Sequence, residues 1–290
     1  MNKVNIIFLI PFLFLTACMP ASVSPVDVAE NTPSPTLTPT PSPTETPWNI
    51  VIPTRTKSPT KTPLAPIAVD LLHPGQHAYT FQPQNGPLLR YWLYLPENFD
   101  PETQWPVILF LHGSDERGTT IERVKNQGLP QILETQTDFP FVVISPQLDS
   151  GFWSKRVLDM DELLDHLTEI LPVNRDQLYL TGISLGGFGV WDYALQYPDR
   201  FAAIVPIAGG YTEQAPPDNI CTLKDLPIWI FHGDADTQVE PFYSQVLVDA
   251  LQACGGNPIF TLYPDTSHIS TWDKAYADSS LYEWLLSQKK

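Results

Sequence analysis

Basic residues are scarce in this sequence: 16 lysines and arginines stand against 32 aspartates and glutamates. Phosphate binding needs the opposite sign, so the balance argues against a nucleic-acid partner. The acidity reads most simply as a solubility feature of the surface. Cysteine is rarer still, with three copies in 290 residues, and nothing in their placement suggests a metal ligand or a nucleophile. No other cluster calls for a metal or a cofactor. Long apolar runs are missing as well. The longest, from Val4 to Leu15, is too short for a stable bilayer span. No internal repeat is visible, which leaves no reason to expect a solenoid or an array.

That short apolar run follows a single lysine and has the shape of a secretory signal over residues 1–17. It ends in Leu15-Thr16-Ala17-Cys18, which resembles a bacterial lipobox. The resemblance implies cleavage before Cys18, lipid on its sulfur, and a protein exported and anchored to the outer face of a membrane or cell surface. An ordinary signal peptide cut elsewhere and a short anchor helix are the alternatives. Residues 18–66 hold that cysteine and a different material. Twelve of the 48 residues from 19 to 66 are proline and ten are threonine. Such a stretch buries little and suits neither helix nor sheet. It reads as an extended tether that reaches, at full stretch, on the order of 150 Å.

Residues 67–290 are long enough for one sizeable domain with its own core. Twelve basic and 29 acidic residues fall there, so the domain carries the acidity. Apolar runs at 91–96, 107–113, 141–147, 177–182, 202–209, 227–233 and 259–264 read as strands. Most are continuous, as in a sheet buried on both faces. Between them lie amphipathic segments at 158–171 and 244–256, the second ending in glycines. Strand–helix alternation predicts an α/β fold with a mostly parallel sheet and helices on both faces. Cys221 and Cys254 lie in this domain and, in an exported protein, are candidates for a disulfide; two separate buried thiols are the alternative.

Gly182-Ile183-Ser184-Leu185-Gly186 has the form G-x-S-x-G, between a predicted strand and a predicted helix. In a nucleophile elbow the serine takes a strained backbone conformation, and the flanking glycines remove side chains that would clash. A glycine-rich packing turn is the bland reading. A serine hydroxyl needs a base, and the base needs a carboxylate to orient it. Downstream, Asp234-Ala235-Asp236 and Asp265-Thr266-Ser267-His268 each follow a predicted strand. An open α/β sheet builds its site in such loops. The order Ser184, Asp236, His268 is the α/β-hydrolase order. "FHGDADTQVE" resembles the H-G-x-x-D-x-x-V stretch of α/β-hydrolase esterases, whose acid falls four residues after the histidine, at Asp236; Asp234 then caps the loop. His232 and His112, each ending a strand, read as locally packed or loop-shaping groups.

Acyl transfer also needs donors for the carbonyl oxygen as it gains charge. The amide of Leu185 is one candidate. The other is the amide of Ser114, in "LFLHGSDERG", which resembles the H-G-x oxyanion loop of the same families. From about residue 85 to 288 the chain resembles bacterial secreted esterases of the prolyl-oligopeptidase-like and feruloyl-esterase-like α/β-hydrolase group. "LYLPENFDPETQWPVILFLHGSDERG", "FPFVVISPQ", "YLTGISLGGFGVW" and "TLYPDTSHISTWDKAYADSSLYEWLLSQ" carry the likeness. Ile183 is a departure, since relatives often carry methionine there. The resemblance implies a serine esterase with a Ser184–His268–Asp236 triad, an acyl-enzyme, no cofactor and no metal. The segment from about Tyr211 to Asp225 is too short for a large cap, and no hydrophobic lid is evident. An open cleft suits an ester on a bulky or polymeric molecule. Trp153 and Trp272 are candidates to line that cleft, with ordinary packing as the alternative. A serine peptidase and a non-catalytic surface binding module on the same fold stay open.

Overall fold

The computed structural model describes residues 72–211 and 215–290. The expected signal peptide, Cys18, the tether and the first residues of the expected domain lie outside the described residues. Among the described residues no helix is long and apolar enough to cross a membrane.

Eight strands form one sheet in the order β1-β2-β4-β3-β5-β6-β7-β8. They are β1 Gly75–Phe81, β2 Leu89–Leu95, β3 Trp105–Leu111, β4 Val142–Gln147, β5 Val173–Ile183, β6 Ala203–Ile207, β7 Trp229–Gly233 and β8 Ile259–Tyr263. β2 runs antiparallel to both β1 and β4, and every other pairing is parallel. The helices are α1 Gly128–Ile132, α2 Val157–Ile170, α3 Leu185–Gln196, α4 Phe242–Ala253, α5 His268–Ala277 and α6 Ser279–Ser287.

The continuous apolar strands have a simple cause. Successive side chains point to opposite faces of a sheet, and both faces are covered here. Val107, Leu109 and Leu111 of β3 pack with Leu163, Leu167, Val190 and Leu247 on the face covered by α2, α3 and α4. Ile108 and Phe110 of the same strand pack with Leu129, Ala275 and Leu281 under α1, α5 and α6. Each large apolar side chain fully removed from water contributes about 1.5–3 kcal/mol. The expectation of a mostly parallel sheet with helices on both faces and no large cap therefore holds. The connection from β6 to β7 carries only a short 3-10 turn, Ile220–Leu223, among its described residues.

β1 is an addition to the seven strands read from the sequence. It is an edge strand with one partner, and its side chains alternate between exposed and part-buried along most of its length. Its polar residues hide it from a search for continuous apolar runs. Cys221, in the β6–β7 connection, is bonded to Cys254 at the end of α4, with the two Cα atoms 5.5 Å apart. That bridge ties a surface segment to a helix terminus, away from the strand ends that matter next. The chain leaves β3 toward β4 on one side of the sheet and β5 toward β6 on the other. Such a switch point opens a crevice beyond the carboxyl ends of the two strands.

Candidate active site

Ser184 sits in that crevice, between the end of β5 and the start of α3. Its backbone angles are φ 51° and ψ −118°, outside the regions open to most L-residues. Holding a serine there costs of order 1–3 kcal/mol, so the surroundings must impose it. They do. The Ser184 amide donates to Ile207 O of β6 at 3.0 Å. On the other side the turn is pressed against β3: a Cβ added to Gly186 would meet Leu111 O at 1.9 Å, and one added to Gly182 would meet Gly186 O at 2.5 Å. Only glycine fits at either place. Ile183 is buried under the turn, belongs to the core on the α5 face and also lines the cavity at Ser184.

His268 is the first residue of α5 and Asp236 lies in the loop after β7. His268 Nε2 is 2.8 Å from Ser184 Oγ, and Nδ1 is 2.5 Å from Asp236 Oδ2. An ionised carboxylate only accepts hydrogen bonds, so Nδ1 carries the proton and Nε2 offers its lone pair to the Ser184 hydroxyl. Asp236 and His268 are both buried. Burial alone would raise the Asp236 carboxyl. The hydrogen bonds from His232 and His268, then from the Val239 and Gln238 amides, outweigh it and hold the group well below the usual carboxylate range. Those amides reach Oδ1 at 3.0 and 2.9 Å. Asp236 is therefore a permanent anion beside an imidazole. Asp234 accepts from the Thr266 amide at 3.4 Å and caps the loop, as the sequence reading has it.

His232 is packed and hydrogen-bonded locally, as expected, and its partners include the acid's own loop. Its Nε2 lies 2.9 Å from Val239 O, an acceptor, and 3.4 Å from Asp236 Oδ2. It thus braces the loop that carries the aspartate. The signal was in the sequence, because His232 and Asp236 belong to the same H-G-x-x-D stretch.

The loop after β3 passes directly over Ser184: a Cβ added to Gly113 would lie 3.6 Å from Ser184 Cβ. His112 fixes this loop. Its ring is fully buried, Nδ1 is 2.6 Å from Gly113 O, and Nε2 accepts from the Leu148 amide at 2.9 Å. Burial first, with Arg117 and Arg123 adding to it, pushes the imidazole down to about 4, so it stays neutral. Ser114 lines the same cavity as Ser184 and His268. Its hydroxyl donates to Asp115 Oδ1 at 3.2 Å. Leu185 opens α3, so its amide is one of the first four that a helix leaves without an intrahelical partner. Partial positive charge gathers at that end.

Of the two tryptophans, one is misread from the sequence. Trp153 does not line the cavity; it is 1% exposed and lies behind the elbow. Its indole N–H donates to His112 O at 3.1 Å, and its ring meets the His112 ring edge-on. The ring backs onto Gly189 of α3. Trp153 is a packing residue that supports the loop over Ser184. Trp272 does line the cavity, one turn along α5 from His268, with its ring edge-on to the imidazole at 4.9 Å.

The cavity itself measures about 70 Å³. Two of its other walls, Glu116 and Gln127, do not stand out in the sequence. Glu116 lies in the charged run "SDERG" right after His112-Gly113, and that adjacency is its only signal. Gln127 has none. Among the described residues no group of three or more His, Cys, Asp or Glu is arranged to hold a metal ion.

Comparison with known proteins agrees with the fold. The family model for the alpha/beta hydrolase fold matches residues 101–253, a stretch with Ser184 and Asp236 inside it and His268 beyond its end. The chain is 22% identical over 224 residues to dipeptidyl-peptidase 5 of Porphyromonas gingivalis, a match covering 61% of this chain and 32% of that protein. It is 26% identical over 181 residues to poly(3-hydroxyoctanoate) depolymerase of Pseudomonas fluorescens, covering 52% of this chain and 63% of the relative. A crystal structure of a thermostable esterase superposes with a TM-score of 0.64 at 28% identity, covering 74% of this chain and 63% of the other. In each case the chain spans less than two thirds of the protein it matches. With the matched family model covering more than half of its length, the chain belongs to the α/β-hydrolase fold family.

Proposed function

We propose that this protein is an exported serine esterase, lipid-anchored through Cys18, that cleaves carboxylic esters by way of an acyl-enzyme. One observation carries the reading: a single imidazole, His268, lies 2.5 Å from the Asp236 carboxylate and 2.8 Å from the Ser184 hydroxyl, with its two nitrogens assigned to different tasks. Ser184 Oγ attacks the ester carbonyl as its proton passes to His268 Nε2. The imidazolium is stabilised by Asp236, which stays ionised. The amides of Ser114 and Leu185 hold the oxyanion. Collapse of the intermediate expels the alcohol, which takes the proton from Nε2. Water then attacks the acyl-enzyme, His268 takes its proton and returns it to Ser184, and the acid leaves. Among the described residues the site carries no large cap, and one relative is named poly(3-hydroxyoctanoate) depolymerase. Both features support a substrate presented on a bulky or polymeric molecule.

The test is hydrolysis of p-nitrophenyl acetate by the wild type and by Ser184→Ala. The wild type should show a burst and steady turnover, and the variant should fall by about 10⁴-fold or more. Wild-type protein without turnover would reduce the domain to a binding module. A panel of short acyl esters, methyl ferulate and peptide amides then decides the class, and faster cleavage of amides than of esters would make the protein a peptidase. The anchor is checked by radiolabelled palmitate in a bacterial host, with label expected on the wild type and absent from Cys18→Ser.

A further inference from the structure

One wall of the cavity at Ser184 is made of polar atoms that no protein group answers. Seven buried side-chain nitrogen or oxygen atoms among the described residues lack a hydrogen-bond partner, and three of them belong to this wall: Glu116 Oε1, Gln127 Oε1 and Trp272 Nε1. All three side chains line the cavity together with Ser184 and His268. Glu116 and Trp272 are only 1% and 3% exposed. A buried polar atom left unanswered costs about 1–3 kcal/mol, so three in one small space need a reason. Burial pushes the Glu116 carboxyl upward, against the backbone of Glu116 and Gly113 and the Gln127 amide, which pull it down.

The three atoms differ in sense. Glu116 and Gln127 present acceptor oxygens, while the indole of Trp272 only donates. An ammonium group donates and cannot accept, so it would leave the indole N–H unanswered. An ether or a carbonyl accepts and cannot donate, so it would leave the oxygens unanswered. A hydroxyl does both: its oxygen takes the indole N–H while its one hydrogen goes to either of the two oxygens, so it is the smallest group that bonds both kinds of atom. The space of about 70 Å³ has room for a small hydroxylated part of a substrate beside Ser184. We infer that Glu116, Gln127 and Trp272 form a specificity subsite for a hydroxyl carried by the ester next to its scissile carbonyl. The subsite rests on the serine-esterase reading above. A hydroxyl on the acyl group and one on the alcohol share this chemistry, and the assay separates them.

The experiment compares kcat/KM within two matched pairs: p-nitrophenyl butyrate with p-nitrophenyl 3-hydroxybutyrate, and ethyl butyrate with 2-hydroxyethyl butyrate. Sites built to bond a substrate hydroxyl discriminate strongly against the analogue lacking it. The wild type should favour the hydroxylated member of at least one pair by about tenfold or more. Glu116→Leu and Trp272→Phe should bring that ratio toward one. Glu116→Gln, which keeps an acceptor oxygen, should retain part of it and decides the matter if the leucine variant does not fold. Ratios near one in both pairs for the wild type would overturn the subsite and leave the esterase reading intact. A preference that survives in the variants, with both esters slowed alike, would make Glu116 and Trp272 packing groups and overturn it too. Failure of the wild type to cleave any of the four esters would instead defeat the esterase reading, and the subsite with it.

Discussion

The cavity at Ser184 has two walls that treat polar atoms in opposite ways. On the acid–base wall, the Asp236 carboxylate receives two backbone amides and His268, and His232 stands 3.4 Å away. Under the loop after β3 His112 likewise uses both ring nitrogens. Around the rest of the cavity Glu116 and Gln127, and Trp272 beside the imidazole, each keep a buried polar atom without a partner. A saturated network has one low-energy geometry and holds it without help from a ligand. An unsaturated wall gives up stability in the free protein and recovers it when a matching group arrives. The first arrangement suits groups that must be aimed before the substrate comes. The second suits groups whose partner is the substrate.

The comparison can be broken at its strongest point first. Asp236→Asn removes the charge and the tautomer control while keeping the size, and ester turnover should fall by about 10⁴-fold in a kcat measurement. A fall of less than tenfold would mean that the saturated wall does not orient His268. Next, Trp153→Ala should destabilise the domain by about 3–5 kcal/mol in denaturant unfolding, because it empties the space behind the loop over Ser184. The pH dependence of stability gives a smaller effect. Because the folded state holds the Asp236 carboxyl below its unfolded value, its contribution is complete above about pH 4. It disappears as pH falls further, a loss of order 2 kcal/mol that Asp236→Asn should not show. Smallest is the response of the unsaturated group. Glu116→Leu should shift the unfolding free energy by no more than about 1 kcal/mol, because the gain from removing the unpartnered Oε1 is set against the loss of the bonds from the backbone and the Gln127 amide. Destabilisation by several kcal/mol instead would show that Glu116 is as fully bonded as Asp236 and that the two groups do not differ in the way described.

What the sequence reveals of this site follows the reach of each interaction. The elbow is legible because its steric demands fall on Gly182 and Gly186, two residues either side of Ser184. Asp236 and His268 are distant from Ser184 in the chain, but each follows a strand, and a parallel sheet brings the carboxyl ends of its strands to one edge. Trp153 is misread because residue type gives the size of a side chain and not its direction. The short 3-10 turn at Trp153–Lys155 carries it inward, beneath the loop, where the His112 carbonyl takes its N–H. Glu116 escapes notice for the converse reason. In "SDERG" a glutamate among charged neighbours reads as solvated, and only the fold turns it away from water. β1 is missed because polar residues alternate along an edge strand, while the continuous apolar runs of the central strands cannot be mistaken.

The pinning of the Ser184 turn between β3 and β6 divides labour within the site. Its backbone touches Leu111 on one side and bonds Ile207 on the other, so the hydroxyl moves only as the sheet moves. His268 arrives on a separate helix, from the loop after β8 near the far edge of the sheet. The distance between hydroxyl and imidazole is therefore set jointly by two separate elements, the pinned turn and the first residue of α5.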